Sequence, residues 1–465
     1  MEIDAFFDGR TVALEQMLQA REERVEAQER LIKQYGLPVI CFTLNIAGPV
    51  KSFTLSRKAF DIGKGIIKKR LEMNSDVLAA FEEKISDTGC EAFFVVTGDA
   101  SNIKEQMAVI EDHHPLGRFF DIDVISPDGR KLSRTDLGME ARRCIICDAP
   151  AALCARSRNH SLETLKEDTI KRLKGYFDDE YSHRIASLAQ RSILYEVCVT
   201  PKPGLVDCCN QGAHEDMDIF TFMNSASALY KYFYRLTMLG LSDESNDPER
   251  LFVRARHLGI EAEEAMLEAT NGVNTHKGAI FSLGLVCVAM GYLHRWNKTE
   301  NLENLRDMCA KMATVALDND FGKSGPKPVK TKGENIFVQY GITGARGEAA
   351  GGFTSVTEYG LPLMCRLIDR GFSLNDAGVA VLINLMAHVD DTNIIGRSCP
   401  ETLMELRSTI RELIRDREPE AWDIKVISKK LDDIFILINV SPGGCADLLA
   451  ITFMLYFLFK SPSGL

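Results

Sequence analysis

Hydrophobic and polar positions alternate in two different ways along the chain. Up to about residue 170, short runs of β-branched and aromatic residues alternate with charged amphipathic segments. The segment 14–35 has apolar residues at helical spacing, which predicts an amphipathic helix. The runs 38–46, 91–98 and 117–125 predict β-strands, and the turn residues of 126–132 predict a hairpin. We therefore expect a mixed α and β domain over residues 1–170.

The remainder of the chain has the apolar spacing of helices. Apolar residues recur three and four positions apart in 184–198, 220–239, 253–270 and 378–389, and convincing strands are rare. The charged segment 161–180 lies between the two patterns and predicts a linker helix. These patterns predict a larger all-α domain over residues 171–465.

Composition limits the classes of function. A chain of 465 residues is expected to form two or three domains, since a domain usually has roughly 100–200 residues. The net charge of −11 argues against broad nucleic-acid or membrane-surface binding but allows local basic pockets. The apolar runs 278–293 and 448–459 are shorter than the roughly 20 residues of a membrane span and predict buried helices.

The cysteines and the first residues indicate a compartment. The chain has 13 cysteines, and its N-terminal segment lacks the basic and apolar regions of a secretion signal. We therefore expect a cytoplasmic protein with free thiols and with no membrane partner. Composition leaves the oligomeric state open.

Two carboxylates are the clearest chemical signal in the N-terminal part. Asp121 and Asp123 are two positions apart on a predicted strand, so both side chains point to one face. Such a pair commonly holds Mg²⁺ during phosphoryl transfer, and Arg118 just upstream is placed to meet a phosphate. The alternative is a partly exposed strand with two solvated acids.

A cysteine-rich segment follows. Cys144, Cys147, Cys154 and His160 have residue types that bind zinc, although the second pair lacks a standard finger spacing. Buried free thiols are the alternative, and the spacing does not decide between the two. Arg156 belongs to a basic stretch here, which suits a phosphate-rich ligand or an acidic partner protein.

Gly- and Pro-rich turns with charged residues precede apolar helices throughout the C-terminal part. They lie at 200–207, 212–218, 344–353, 388–397 and 441–450, and a similar polar cluster opens the apolar run at Asn274. We expect these loops to gather at one site. A capping residue, free N–H groups and Lys277 at a helix start form a natural anion site, so this start is expected to face a polyphosphate.

Several acids near several cations in these loops suit a complex of Mg²⁺ with a triphosphate. The candidate catalytic acids are Asp207, Asp390 and Asp391, with Asp216 and Asp390 as candidate Mg²⁺ ligands. The candidate substrate-binding residues are Lys202, His214, Asn274, His276, Lys277, Glu334, Arg346 and Glu348. For any single residue, helix capping is the competing interpretation. The sequence contains neither a Walker A loop nor a GxGxxG fingerprint.

Five ordered blocks resemble the triphosphoribosyl-dephospho-CoA synthase family over about residues 180–460. The blocks read EVCVTPKPGLVDCCNQGAHEDMD, NTHKGAIFSLG, YGITGARGEAAGGF, DDTNIIGR and SPGGCADLLA. Residues 10–170 resemble the apo-citrate lyase phosphoribosyl-dephospho-CoA transferase family. The segments that carry this second resemblance read REERVEAQERLI, FTLNIAGPVK, GRFFDIDV and CARSRNHSL. One departure is Cys208 and Cys209, where bulkier polar residues are expected beside the acids.

The resemblance implies a nucleotidyltransferase-like α+β domain followed by an all-α domain, with two reactions. The all-α domain would join ATP to 3′-dephospho-CoA and release adenine. The N-terminal domain would transfer the phosphoribosyl-dephospho-CoA to a serine of the citrate lyase acyl carrier (gamma) subunit and release pyrophosphate. Mg²⁺ is the expected cofactor. Substitution at a ribose C1′ passes through an oxocarbenium-like state, which nearby carboxylates stabilise.

Three other interpretations of this sequence remain open. An Mg²⁺-dependent all-α hydrolase of N-ribosyl bonds would need the same acids, but its adenine release would not depend on dephospho-CoA. A non-enzymatic assembly factor that binds the acyl carrier would need neither acids in Gly-rich loops nor ATP. A close homologue serving malonate decarboxylase would attach the same prosthetic group to another carrier.

Overall fold

A computed structural model describes residues 3–74, 76–147, 149–321, 332–415 and 417–460. Side chains at 316, 318–321, 332 and 334 lie outside the description. The chain divides into two compact units, one ending at Asp178 and the other beginning at Asp179. The division falls inside a helix.

The first unit is an antiparallel sheet with helices. Its strands are β1 (Val39–Leu44), β2 (Leu78–Ser86), β3 (Gly89–Val96), β4 (Phe120–Ile125) and β5 (Lys131–Leu132). Its helices are α1 (Leu14–Tyr35), α2 (Thr54–Met73), α3 (Ala100–His113) and α4 (Ala151–Ser157), with 3-10 turns at Ile3–Phe6 and Thr135–Leu137. The strand order is β2-β3-β1-β4-β5, and every neighbouring pair is antiparallel.

The two faces of this sheet have different cores. Phe42 and Phe120 lie on one face, where Phe42 stacks on Phe60 of α2 with ring centroids 5.1 Å apart. On the other face, Leu31 of α1 packs with Cys41 and its apolar neighbours. Because side chains alternate along a strand, Asp121 and Asp123 of β4 share the α1 face. The position of the acids therefore follows from the strand register.

One long helix, α5 (Leu162–Cys198), runs through the boundary between the units. Ile170 and Leu173 are buried in the core of the first unit, whereas Tyr181 and Ile185 are buried in the core of the second. The predicted linker helix over 161–180 is therefore only the first part of a longer helix that contributes to both cores.

The second unit is helical, with no strand among its described residues. After α5 its helices are α6 (Ile219–Leu241), α7 (Pro248–Ala269), α8 (Lys277–Arg295), α9 (Leu302–Phe321), α10 (Lys332–Tyr340), α11 (Gly344–Ala350), α12 (Leu361–Asp369), α13 (Leu374–Met386), α14 (Thr392–Arg397), α15 (Pro400–Ile414), α16 (Ile424–Leu437) and α17 (Gly443–Phe459). A π-helical turn, Val356–Gly360, precedes α12, and a 3-10 turn, Pro419–Ala421, precedes α16.

The centre of the second unit is α8, which is buried along most of its length. Gly240 of α6 and Gly291 of α8 allow the two helices to touch. A Cβ at Gly240 would lie 2.2 Å from the carbonyl oxygen of Val288, and a Cβ at Gly291 would lie 2.2 Å from that of Thr237. At 19 residues α8 is longer than the apolar run seen in the sequence and is long and apolar enough to cross a membrane, yet 78% of its apolar stretch is buried inside the protein.

The strongest sequence patterns are confirmed. The helix predicted over 14–35 is α1, two of the predicted strands contain β1 and β4, and the one predicted over 91–98 overlaps β3, which begins two residues earlier. The predicted hairpin forms between β4 and β5, with Gly129 at φ 83° in its turn. Strand β2 was not predicted, because it is a mostly exposed edge strand with several charged residues and lacks the alternating apolar pattern.

Candidate active sites

The first candidate site lies on the α1 face of the sheet. Cross-strand pairing places Thr43 of β1 between Glu91 of β3 and Asp121 of β4, and it places Cys41 beside Asp123. Glu91 is buried and forms an ion pair with Arg24 of α1, whose guanidinium lies 2.6 Å from the Glu91 carboxylate. Three carboxylates thus share one face, and only the β4 pair was predicted from the sequence.

Cations accompany the β4 carboxylates. Lys131 of β5 lies 2.5 Å from Asp123, and Arg142 lies 3.6 Å from Asp121. Burial raises the pKa of Asp121, and the neighbouring charge of Asp123 raises it further, whereas Arg142 acts to lower it. On the other side of β4, the buried Lys104 donates to the carbonyl of Ile122. A cation placed between the two carboxylates would relieve their mutual repulsion.

The predicted arginines of this unit differ in position. Arg118 donates to the carbonyl of Cys144 at 2.9 Å, so it is engaged in holding the following loop. Arg142, which belongs to the same basic stretch as Arg156, donates to the carbonyls of Arg118 and Phe120 at the start of β4. Arg156 is exposed on α4. A direct role of Arg118 or Arg156 in substrate binding remains a prediction.

The four predicted zinc ligands lie together in the first unit. Cys144, Cys147, Cys154 and His160 each offer a ligand atom, and these atoms all lie within 4.8 Å of one another. The sequence spacing alone left this cluster undecided, because it does not match a standard finger.

The second candidate site consists of two adjoining cavities in the second unit, with volumes of about 1010 and 360 Å³. The loops at 388–397 and 441–450 and the start of α8 line both cavities, while residues from 200–207 and 212–218 line the smaller one and residues from 344–353 the larger. The fold therefore brings these loops together, as the sequence predicted. Both cavities are lined by Asn274, Lys277, Thr392, Asn393 and Asp447, which form a shared wall.

The larger cavity contains most of the predicted phosphate and metal residues. Lys277, Arg346, Glu348, Asp390 and Asp391 all line it. Lys277 pairs with Glu263 at 2.7 Å, and Asp390 pairs with Arg407 at 2.7 Å. Both oxygens of Glu348 accept hydrogen bonds from Ser355.

Asp391 also has a structural role. It is buried, and it caps α14 through the backbone N–H of Asn393 and Ile394 while its other oxygen accepts from the N–H of Cys445 at 2.8 Å. Burial raises its pKa despite these hydrogen bonds. Asp391 therefore joins the starts of α14 and α17 at the wall of the cavity.

The smaller cavity contains a buried ion pair and two histidines. Lys202 donates to the carboxylate of Glu196 at 2.5 Å, and both side chains are almost fully buried. His276 shares a hydrogen bond with Ser225, and burial, with a contribution from Lys202, lowers the pKa of His276 to about 3. The imidazole of His276 is therefore neutral at physiological pH, and its Nε2 is buried without a hydrogen-bond partner.

His214 lies at the rim of this cavity. Its Nε2 contacts the hydroxyl of Ser441 at 2.9 Å, its Nδ1 contacts Arg397 at 3.1 Å, and the largely exposed Asp216 lies 3.8 Å away. Burial lowers the pKa of His214, and the charge of Arg397 lowers it further. His214 is thus held in place from two sides.

Asp207 and Glu334 were also predicted as site residues. Asp207 lines neither cavity, and its carboxylate accepts three hydrogen bonds from the backbone N–H groups of Lys202, Cys209 and Asn210. It stabilises the loop that carries Lys202. The side chain of Glu334 lies outside the described residues.

The start of α8 is where the geometry differs most from expectation. Asn274 accepts from the N–H of Lys277 at 3.3 Å, as predicted for a cap. The carboxylate of Asp447 lies against the same helix end: a Cβ on Gly278 would be 1.9 Å from its Oδ2, and it accepts from the N–H of Ala279. A protein carboxylate thus occupies the helix end at which we expected a phosphate.

Asp447 is the residue that sequence reasoning missed. Burial raises the pKa of Asp447 well above its usual value, and the charges of Glu196 and Asp391 contribute to that rise. Its signal in the sequence is weak, because a single acid near the start of an apolar helix, three residues after Gly444, resembles an acid that stabilises a helix N-terminus. Only folding brings Gly278, the one residue type that leaves room for it, against this carboxylate.

Comparison with known proteins identifies both units. Residues 182–463 match the family described as ATP:dephospho-CoA triphosphoribosyl transferase, and residues 12–176 match the family described as apo-citrate lyase phosphoribosyl-dephospho-CoA transferase. The chain is 34% identical to the protein CitXG of Leuconostoc mesenteroides subsp. cremoris over 99% of this chain and 100% of that protein. The chain belongs to this family of fused transferases.

Other members agree with this assignment. The CitXG protein of Haemophilus influenzae is 34% identical over 97% of both chains. A probable 2-(5''-triphosphoribosyl)-3'-dephosphocoenzyme-A synthase of Photobacterium profundum is 38% identical over 58% of this chain and 86% of that protein. The predicted bifunctional transferase is thereby confirmed, and the hydrolase and the non-enzymatic assembly factor are set aside.

Proposed function

We propose that the paired cavities of the second unit are the site at which ATP reacts with 3′-dephospho-CoA. The observation that carries the proposal is the shared wall, where Asp447 of α17 lies against the start of α8 and faces both cavities. The ATP ribose lies at this wall, the adenine extends into the smaller cavity, and the triphosphate extends into the larger one. The larger cavity also admits the ribose of dephospho-CoA.

Charge supports this orientation. Lys277 and Arg346 line the larger cavity and contact the triphosphate, as predicted from the sequence. Asp390 lines the same cavity and is exposed, and carboxylate oxygens are the ligands that Mg²⁺ prefers. Asp390, with Asp391 and Glu348 nearby, would hold Mg²⁺, which supplies charge neutralisation of the phosphates.

The proposed chemistry is a substitution at C1′ of the ATP ribose. The bond from C1′ to adenine breaks, and the adenine takes a proton from Asp447, whose raised pKa favours the protonated acid. The resulting carboxylate faces the oxocarbenium-like ribose. The 2′-hydroxyl of dephospho-CoA then bonds to C1′ and returns its proton to Asp447, so the acid is regenerated.

The orientation is tested with two fragments of ATP, adenine and tripolyphosphate, by isothermal titration calorimetry. Ala446 lines only the smaller cavity, so Ala446→Leu should weaken adenine binding and leave tripolyphosphate binding unchanged. Lys277→Met should produce the reverse pattern. If Ala446→Leu weakens tripolyphosphate and spares adenine, the proposed orientation is wrong.

For the first unit we propose that Asp121 and Asp123 hold Mg²⁺ in a nucleotidyltransferase-like site. The hydroxyl oxygen of the carrier serine bonds to the phosphorus nearest the ribose, the bond from that phosphorus to the pyrophosphate breaks, and the hydroxyl proton leaves with the pyrophosphate. Lys131 and Arg142 lie beside the two carboxylates and stabilise the negative charge that develops on the leaving group. The carrier is the citrate lyase acyl carrier, in keeping with the description of the family that matches residues 12–176.

This second proposal is tested by intact-mass spectrometry of the acyl carrier. The full chain, ATP, Mg²⁺ and dephospho-CoA should together increase the carrier mass by the phosphoribosyl-dephospho-CoA group. Replacement of the citrate lyase carrier by the malonate decarboxylase carrier distinguishes the two candidate partners. Preferential modification of the latter would overturn the choice of carrier and leave the chemistry intact.

A further inference from the structure

The cysteine-rich segment between β5 and α5 brings four metal-binding side chains to one point. Cys144 and Cys147 lie in a turn, Cys154 lies on α4, and His160 follows that helix. Their four ligand atoms are all within 4.8 Å of one another. Neither of the two proposed transferase reactions uses these groups directly.

The spacing of the sulfur atoms fits a tetrahedral metal. The Sγ of Cys154 lies 3.4 Å from that of Cys144 and 3.7 Å from that of Cys147. In a tetrahedral zinc site, two sulfurs each about 2.3 Å from the metal are separated by about 3.8 Å. A disulfide would require about 2.05 Å, and all three cysteines are free thiols. The separations are thus those of co-ligands.

The histidine gives an independent indication. The Nε2 of His160 is buried and has no hydrogen-bond partner. A buried ring nitrogen without a partner carries a desolvation cost of about 1–3 kcal/mol, so such groups are normally satisfied. Coordination of a metal ion through this Nε2 would satisfy it, and coordination through the other ring nitrogen would hold the ring in one tautomer. Either would account for a ring placed beside three sulfur atoms.

We propose that Cys144, Cys147, Cys154 and His160 bind one Zn²⁺ ion. Three thiolates and one imidazole favour zinc over the hard cations Mg²⁺ and Ca²⁺, which prefer oxygen. Four protein ligands close the coordination shell and leave no open position for water or substrate. The site is therefore structural and distinct from the Mg²⁺ positions of the two reactions.

The position of the cluster indicates what it stabilises. The N–H of Cys144 donates to the carbonyl of Ala149, and its own carbonyl accepts from Arg118. Two residues before it, Arg142 donates to the carbonyls of Arg118 and Phe120 and lies 3.6 Å from Asp121. Zinc at this point fixes the loop that holds Arg142 beside the β4 carboxylate, so Arg142 is positioned by the metal site.

The first experiment measures metal content in the full chain, purified without a histidine tag. Inductively coupled plasma mass spectrometry and native mass spectrometry should find about one zinc per chain. Cys147→Ser should reduce this content to near zero. Cys208→Ser is the matched control, because Cys208 is also exposed but lies in the second unit, and it should retain the full amount.

A second measurement keeps the proposal testable if Cys147→Ser misfolds the first unit. X-ray absorption at the zinc edge of the unmodified protein should show three sulfurs and one nitrogen around the metal. Zinc-free protein, zinc retained in Cys147→Ser, a different ligand set, or iron in place of zinc would each overturn the proposal.

The positioning role has its own readout. Removal of zinc with a mercurial reagent, followed by thiol to displace the reagent, should lower carrier modification while adenine release stays unchanged. Restoring zinc should restore carrier modification. If carrier modification is indifferent to zinc, the site is bound but does not position Arg142, and that part of the proposal is wrong.

Discussion

The acids of the two candidate sites have different neighbours. On the sheet of the first unit, Asp121 and Asp123 each have a cation within 3.6 Å. In the second unit, burial raises the pKa of Asp447, and the charges of Glu196 and Asp391 raise it further. The contrast matches the charge that each reaction develops. Phosphoryl transfer accumulates negative charge and needs cations, whereas cleavage at C1′ accumulates positive charge and needs carboxylates.

The largest expected effect on this contrast comes from replacement of Asp447. Asp447→Asn keeps the size of the side chain but removes the proton donor and the carboxylate. Because a general acid contributes roughly 100-fold to 10,000-fold, we expect the rate of adenine release to fall by about 1,000-fold. Carrier modification from supplied triphosphoribosyl-dephospho-CoA should be unchanged. Steady-state adenine release checks this, and a loss below tenfold would exclude Asp447 as the acid.

The same variant has a predicted effect on stability. The folded-state pKa of Asp447 is raised above its ordinary value of 3.8. The contribution of Asp447 to the free energy of unfolding is therefore fully present at pH values below its ordinary pKa, and it is lost as the pH rises through the folded-state pKa. Asp447→Asn should raise the melting temperature more in mildly alkaline than in mildly acidic buffer. Equal changes at both pH values would contradict the assigned direction of the shift.

The site of the first unit is tested at Asp121. Asp121→Asn should lower carrier modification roughly 100-fold, since loss of a group that holds the metal or stabilises transition-state charge has effects of this size. Adenine release by the second unit should not change. Asp61→Asn is a suitable control, because Asp61 is an exposed acid on α2 of the same unit. Equal loss of both activities would indicate misfolding.

A smaller effect is expected at Lys277. Lys277→Met keeps the aliphatic stem and removes one charge-assisted contact to phosphate, worth about 1.5–3 kcal/mol, so the apparent ATP affinity should weaken by at least about tenfold. Lys311→Met is the matched control, as Lys311 is an exposed lysine of α9 that pairs with Asp307. Unchanged affinity in a folded Lys277→Met protein would leave Lys277 with only its contact to Glu263.

The smallest effect is expected from separation of the units. A fragment of residues 179–465 contains the whole core of the second unit, from Tyr181 onward. It should release adenine at nearly the rate of the full chain. A fragment that begins at 175 adds Tyr176 and Phe177, which pack in the first core, and should be less soluble. Inactivity of both fragments beside an active full chain would argue against independent units.

Local patterns predicted the fold where composition or spacing is distinctive. Helix α1 has the apolar spacing of an amphipathic helix, strands β1, β3 and β4 are runs of β-branched and aromatic residues, and turn residues mark the hairpin after Ile125. Strand β2 was not predicted, because an exposed edge strand needs no alternation of apolar and polar residues. The sequence also did not predict that α5 is one continuous helix. Its two parts are buried in different cores, so their apolar faces do not form one stripe.

The sites were predictable to the extent that their residues are near one another in sequence. Asp121 and Asp123 share a strand, and Lys277 begins a helix. Asp447 and Glu196 come from elements far apart in the chain, so only the packing of α17 and α5 around α8 brings them to one cavity. Asp207 shows why local patterns do not separate the two roles, since a turn acid that accepts three backbone hydrogen bonds has the same local signature as a site acid, and its catalytic role stays a prediction.

The glycine contact between α6 and α8 is a point about which a substitution would tilt α8. Gly291 lies 13 residues from Gly278, which is roughly 20 Å along a helix that rises about 1.5 Å per residue. Over this lever, a tilt of only about 3° at the pivot displaces the far end of α8, and the wall beside Asp447, by roughly 1 Å. A displacement of that size can reduce catalysis by about 100-fold. A single methyl group added at Gly240 or Gly291 would therefore act on the reaction at a distance, through the angle of one helix.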